Sequence, residues 1–329
     1  MKPFFSILIP VYNQVGKMEE CIASLDAQEF TDYEVIFVND GSTDTSQEML
    51  EEYAKKDRRR RILVHESNRS LLFARYTGMK EAKGEYVLFL DSDDFLSHDA
   101  LQLLHERLTE TAEPPEILRF GFVTEPEGTK TFPIETKDIL LSVLTGEITP
   151  SVWKNCYRRN VIEDLLQKTE PFYCNMAEDA CLSGMFYSIA KSFGILDQCI
   201  YHYNSGGMSS SGSNLSLEKM KRDMRSVEEA GSHLTGFMEK YDPLYASAAH
   251  ISAKRMVEFV ILQHVVFEES WEKVFDYLRF VKEGEDGRYA PFFDMACNKL
   301  IPVRVKYAIG ISLTKEDKEN IFSKYEEDL

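Results

Sequence analysis

The chain has 329 residues, 43% of them hydrophobic, which is enough for one large α/β domain and a smaller addition. A formal net charge of -17 argues against non-specific binding to nucleic acid or to an anionic bilayer, since both polyanions reward a basic surface, and leaves room for a local basic patch. Six cysteines fall in no CxxC pair and no zinc spacing, the usage of a reduced cytosolic protein without a disulfide framework.

Phe4 to Ile9 is an apolar β run stopped by Pro10, too short for a signal peptide or a membrane span, and no other stretch is long enough to span. The loop from Val11 to Gly16 leads to a helix with Met18, Cys21, Ile22 and Leu25 on one face. Tyr33 to Val38 is a second buried strand, running into Asn39-Asp-Gly-Ser-Thr-Asp44 and a helix around Met49, Leu50 and Tyr53. The arginine run from Arg58 to Arg61 is expected to be a solvated turn before a short strand, Ile62 to His65. Asn68 to Lys83 forms a loop and a helix, ended by Gly84.

Tyr86 to Leu90 then runs without alternation, as a strand buried on both faces does, and stops in Asp91, Ser92, Asp93 and Asp94. Carboxylates at the end of such a strand lie where open α/β sheets bind ligands, and two of them one residue apart can hold a hard divalent cation. The competing reading is plain helix capping, with Ser97 or Asp99 in the same role. An EF-hand is excluded by Leu96 where glycine is required. The loops rich in Asp, Asn, Ser and Gly thus gather on one edge of a parallel sheet, the pattern of a nucleotide crevice. Neither GxGxxG after the first strand nor GxxxxGK[ST] occurs, which disfavours a dinucleotide fold or P-loop.

Beyond a helix near Leu101 to Leu108 the pattern is mixed, with strands at Glu116 to Phe122 and Lys130 to Pro133 and a helix at Asp138 to Leu144. Trp153 is expected in the core or a pocket wall, ahead of a helix from Val161 to Leu166. Glu178 and Asp179 open a helix, where the dipole favours carboxylates. Phe193 to Tyr203 is a further strand, and the Gly/Ser-rich stretch from Asn204 to Asn214 is a linker or a lid. From Leu215 the chain is helical, with His264 at the edge of an apolar stripe, so the division is 1–214 and 215–329. The apolar segment from Ala290 to Leu313, dotted with Lys299, Arg304 and Lys306, either packs on the sheet domain, the favoured reading, or rests on a membrane.

Together, Ser6-Ile-Leu-Ile-Pro-Val-Tyr-Asn13, Val38-Asn-Asp-Gly-Ser-Thr-Asp44, Ala74-Arg75 with Gly78, Gly84-Glu-Tyr86, Phe89-Leu-Asp-Ser-Asp-Asp94 and Glu178-Asp179 resemble the family 2 glycosyltransferases with a GT-A fold. The resemblance implies a Rossmann-like, mostly parallel α/β sheet flanked by helices, followed by the helical C-terminal region. It places Pro10, Val11, Tyr12 and Asn13 with Asp40 around a nucleotide base, usually uracil, and Arg75 at the base or the diphosphate. It places Asp91 and Ser92 at the donor, Asp91 on the ribose or the metal, and Asp93 on Mn²⁺ or Mg²⁺. Asp179 is the implied catalytic base, Glu178 positions the acceptor or a basic side chain, and Trp153 with Tyr201 to Asn204 lines the acceptor side. His202 is then either an extra metal or phosphate contact or a structural residue.

The implied function is a metal-dependent inverting transfer from a nucleotide sugar, a UDP-sugar first, to a saccharide or glycolipid acceptor in surface polysaccharide synthesis. The expected location is the cytoplasm, with peripheral contact at the membrane's inner face as the alternative. Rival readings are a non-catalytic nucleotide-sugar-binding module and a nucleotidyltransferase. The chain departs from the family pattern at Arg69 and Ser70, commonly glycine, at Tyr76, commonly asparagine, and at Asn204, often arginine.

Overall fold

The long apolar runs form the middle of one sheet because each loses both faces to neighbouring elements. In the computed structural model, which describes residues 2–205, 215–268, 270–284 and 287–301, the first half alternates strand and helix. The elements are β1 (Phe5–Val11), α1 (Glu19–Asp26), β2 (Tyr33–Asn39), α2 (Ser46–Ala54), β3 (Arg60–Val64), α3 (Leu71–Glu81) and β4 (Tyr86–Phe89). There follow β5 (Phe95–Leu96), α4 (Ala100–Thr109), β6 (Ile117–Glu125), β7 (Thr129–Thr131), α5 (Ile139–Leu144), β8 (Asn155–Arg158), α6 (Arg159–Lys168), α7 (Glu178–Ile189) and β9 (Phe193–Asn204).

The strand order is β3-β2-β1-β4-β8-β6-β9-β5, with β7 paired to β6. β3, β2, β1 and β4 are mutually parallel, as the sequence pattern implies, and β6 runs parallel to β9. Elsewhere the sheet is mixed: β8 is antiparallel to both β4 and β6, β5 to β9 and β7 to β6. Every residue of β1, β2 and β4 is buried. β1 continues through Pro10, where the apolar pattern had suggested a stop, because its register with β4 ends at Leu8 opposite Phe89. Past that point a missing N–H leaves no β4 acceptor without its donor.

The arginine run is a solvated turn only at its start: Arg58 is exposed in a turn with Arg59, while Arg60 and Arg61 enter β3. Arg59 pairs with Asp57 at 2.6 Å, Arg60 with Asp26, and Arg61 with Glu34 at 3.2 Å and Glu81 at 3.3 Å. These residues tie β3 to β2, α1 and α3. Beside them, buried Ser6 donates to Glu34 Oε1 at 2.7 Å and accepts the Gly84 N–H at 2.7 Å. Gly84 is required there, because a Cβ would stand 2.4 Å from the Ser6 nitrogen. This knot sets where β4 begins, and so where its terminal carboxylates emerge.

Met1–Leu140 with Ile148–Met208 forms one compact unit, and Leu141–Glu147 with Ser209–Leu329 the other. The second unit is built on α8 (Leu217–Tyr241), α9 (Ala246–Phe267) and α10 (Trp271–Glu283). Met220, Met224, Val227 and Leu234 of α8 are buried, as are Val260, Ile261 and Val265 of α9 and Val274 and Val281 of α10. Gly231 allows the close approach of α8 to α9, since a Cβ would lie 2.7 Å from that of Ala253. His264 is fully buried, its Nδ1 on the Val260 carbonyl at 2.9 Å, a core residue as the stripe suggests. None of the described helices is long and apolar enough to cross a membrane. Residues 206–214 of the Gly/Ser-rich stretch and 302–313 of the apolar segment lie outside the described residues.

Candidate active site

The ends of β1 and β2 are stitched together by side chains the sequence supplies as loop formers. Asn13, at φ 53°, accepts the Thr43 N–H on Oδ1 at 2.8 Å and donates its own N–H to Ser42 Oγ at 3.0 Å. The Gln14 N–H donates to Ser46 Oγ at 2.9 Å, and the Asp40 N–H to the Val11 carbonyl at 2.8 Å. Pro10 and Val11 are buried, and Tyr12 is 39% exposed at the rim. Asp40 does not project into the crevice. It is 2% exposed, and its carboxylate accepts the Arg69 N–H at 2.9 Å and the Ser70 N–H at 3.0 Å and meets His65 Nδ1 at 2.6 Å. His65 Nε2 lies 2.8 Å from Thr77 Oγ1, so this histidine, which pattern reading passes over, braces Asp40 against α3.

Four residues follow β4, and burial separates their roles. Ser92 is 4% exposed and points away from solvent. Asp94 is 1% exposed, accepts the Tyr201 hydroxyl at 2.6 Å and the Asn204 N–H at 2.8 Å, and is pushed up to about 8 by burial and by Asp91. It is therefore the structural member of the trio. Tyr201 Oη in turn accepts the Asp91 N–H at 3.2 Å, fastening the turn to β9. Asp91 keeps 25% of its side chain exposed and Asp93 is half-buried. The capping reading is not met: Asp99 occupies the N-cap of α4 without a side-chain cap bond.

Arg75 joins this turn to the second acidic motif. Its side chain is 1% exposed, so it lies beneath the site, where the resemblance implied a contact with base or diphosphate. Nη2 donates to Asp91 Oδ1 at 3.1 Å, and Nη1 to Glu178 Oε1 at 3.1 Å and Asp179 Oδ1 at 2.9 Å. Ala177, left-handed at φ 67°, turns the chain into α7 so that both acids reach this one cation. Burial pushes Glu178 up to about 7, with Asp179 adding to it and Arg75 opposing. Burial also raises Asp179, against the pull of Arg75. Its Oδ1 receives Arg75 and, at 3.4 Å, the Val152 N–H, while Oδ2 accepts no hydrogen bond among the described residues.

Trp153 is 8% exposed, stacked on Tyr201 at 4.6 Å and on Tyr203 at 5.5 Å, with Phe122 edge-on at 5.0 Å. It backs the site as a core residue, and half-buried Tyr203 is the aromatic nearer solvent. Lys154, whose Nζ donates to the Thr149 carbonyl, is pulled down to about 8 by burial and by Arg119 while Asp179 opposes the shift. Both ring nitrogens of His202 have protein partners: Nδ1 meets Glu125 at 2.9 Å and Nε2 meets Ser97 at 3.1 Å, and the ring stacks on Phe95 at 4.4 Å.

Among the described residues no three ligating side chains converge to cage a metal. Two partly exposed carboxylates on one turn, Asp91 and Asp93, are oxygen ligands of the type a hard cation takes.

A carboxylate turn at the end of the parallel strand β4, joined to a second acidic motif by a buried arginine, lies where α/β sheets of this kind bind ligands. Residues 6–133 match the family model described as Glycosyl transferase family 2. EpsJ of Bacillus subtilis, an uncharacterized glycosyltransferase, is 35% identical over 219 residues, which cover 62% of this chain and 61% of its own length. The chain thus spans about six tenths of that relative. The GT-A fold is shown by two solved structures. S. aureus TarS 1-349 in complex with UDP-GlcNAc superposes with TM-score 0.54 at 20% identity, covering 94% of each chain. The mannosyltransferase PcManGT from Pyrobaculum calidifontis, in complex with GDP-Man and Mn²⁺, gives 0.53 at 14% identity over 98% of this chain and 85% of its own.

Proposed function

We propose that this protein is a metal-dependent inverting glycosyltransferase that moves a sugar from a nucleotide donor, a UDP-sugar, to a saccharide or glycolipid acceptor in surface polysaccharide synthesis. In this reading residues 1–214 carry the chemistry, 215–329 are a helical extension, and the protein works in the cytoplasm, with peripheral contact at the membrane's inner face to reach a glycolipid acceptor. The carrying observation is that one buried guanidinium, Arg75, bonds Asp91 of the first acidic motif and Glu178 and Asp179 of the second.

That arrangement separates two carboxylate duties on the two sides of a bound sugar. Asp91 and Asp93 would hold a divalent cation, which when bound would supply Lewis-acid stabilisation to the leaving diphosphate. Asp179 Oδ2, which accepts no hydrogen bond among the described residues, takes the proton from the attacking hydroxyl on the opposite face of the sugar, so the anomeric centre inverts. Burial makes that carboxylate a stronger base than an exposed one, and Arg75 and Lys154 oppose the shift. Glu178, 8% exposed, serves by anchoring Arg75. Tyr12 at the rim and the β1–β2 loops offer the walls of a base pocket, shaped by Asp40 from within. The complexes of TarS with UDP-GlcNAc and of PcManGT with GDP-Man and Mn²⁺ support this class of donor and cation.

The test is calorimetric titration with a panel of UDP-, GDP- and TDP-sugars, with and without Mn²⁺, on the native chain and on Asp93→Ala. Metal-dependent binding of a UDP-sugar that the variant loses supports the reading. Metal-dependent binding that survives in Asp93→Ala sinks the metal assignment.

A further inference from the structure

Ser70 stands at φ 97° and ψ 157°, a backbone region that glycine enters freely and a residue with a Cβ enters only under strain. It is fully buried, so solvent does not explain its side chain. What the hydroxyl does is specific: Oγ accepts the Cys174 N–H at 3.2 Å. The Ser70 N–H donates to Asp40 Oδ2 at 3.0 Å, and its carbonyl accepts the Ala74 N–H at 3.1 Å as α3 begins. One residue therefore touches the acid at the end of β2, the start of α3 and the irregular segment leading to α7.

That segment carries the base. Cys174 Sγ donates to the Met176 carbonyl at 3.1 Å, Ala177 makes its left-handed turn, and Glu178 and Asp179 follow. α3 grips this path twice, through Ser70 on the backbone at Cys174 and, one turn on, through Arg75 on the two carboxylates. Arg75 acts on the two carboxylates themselves. The Ser70 bond fixes the main chain that aims Asp179. A glycine would relieve the strain and could not make that bond.

We propose that Ser70 is a positioning residue that couples the Asp40 end of the sheet to the turn bearing Asp179, its strained backbone being retained for the hydroxyl bond to Cys174. The inference rests on Asp179 acting as the base. It is tested with the full chain by hydrogen exchange and by steady-state kinetics on Ser70→Gly and Ser70→Ala. Ser70→Gly relaxes φ and removes the acceptor; its thermal midpoint should equal or exceed the native one while amides of 174–179 exchange about tenfold faster. Its kcat should fall roughly tenfold with the donor KM within about twofold, the signature of a misplaced base and not of a damaged donor site. Ser70→Ala keeps the strain and loses the bond, so it should show the same exchange and kcat changes with a lowered thermal midpoint. Native exchange at 174–179 in Ser70→Gly, or a native kcat, overturns the proposal. A native chain that turns over no nucleotide sugar refutes the transferase reading instead, and the exchange data still decide the Ser70 coupling.

Discussion

Arg75→Met tests the idea that one cation holds the site together. The substitution keeps an unbranched apolar stem and deletes three charge-assisted hydrogen bonds of 2.9, 3.1 and 3.1 Å. Such bonds contribute about 1.5–3 kcal/mol each in isolation, but these share one donor group. Asp91 and Asp179 also keep 25% and 27% of their side chains exposed, which discounts their share by solvent screening. Relief from burying the guanidinium offsets part of the loss, so the net cost should be about 3 kcal/mol at pH 7.5, the low end of the ~3–5 kcal/mol for breaking a buried pair.

The pH dependence is the sharper signature. Arg75 lowers the pKa values of Glu178 and Asp179 against burial, so in the variant both rise further above their unfolded values. The folded variant then binds more protons than the unfolded chain across the window between those values, and its stability falls as pH rises through it. Its deficit relative to the native protein should be largest near pH 7.5 and shrink toward pH 5. Urea unfolding followed by circular dichroism at both pH values measures this. A deficit below about 1 kcal/mol, or one that grows as the pH is lowered, refutes the clamp.

Asp179→Asn should bind donor like the native protein and lose transfer by about 10²-fold or more, and full transfer in that variant would move the base elsewhere. Because Asp179 is raised, kcat should fall as pH drops through an apparent pKa above the ordinary carboxylate range, shared by the cluster. Lys154→Met, which removes a charge that lowers Asp179, should move that acid limb to higher pH; a limb unchanged or shifted down would count against Lys154 facing the base. Gly84→Ala drives a Cβ to 2.4 Å from the Ser6 nitrogen and should destabilise by at least ~1–3 kcal/mol, read from the urea midpoint. His202→Ala should cost about 1–3 kcal/mol through the lost Glu125 and Ser97 contacts while leaving the Mn²⁺ dependence of donor binding unchanged; a changed dependence would give the histidine a metal role.

β1, β2 and β4 were legible because an unbroken apolar run has no other stable place in a chain of this composition. β8 and β5 were not legible as sheet members. Four and two residues long, they exist only through partners remote in sequence, Cys156 on Leu88 and Phe95 on His202. The arginine run looked like a solvated turn because charge opposes burial; the carboxylates of Asp26, Glu34 and Glu81 that pair it belong to other elements.

The sequence alone determined the inventory of the site: which carboxylates end β4, which pair opens α7, and the order that matches the family. Local spacing suffices for that, because each motif sits on one strand end or one helix start. Only the tertiary structure decided their division of labour. Asp91, Asp93 and Asp94 are chemically alike in the sequence, and Asp94 becomes the structural one because Tyr201 reaches it from β9. Arg75 could have faced a ligand, and it turns inward because β4 and α7 bring three carboxylates around it. Burial and pairing are properties of the packed chain, and they set which charge stays with the fold and which remains for substrate.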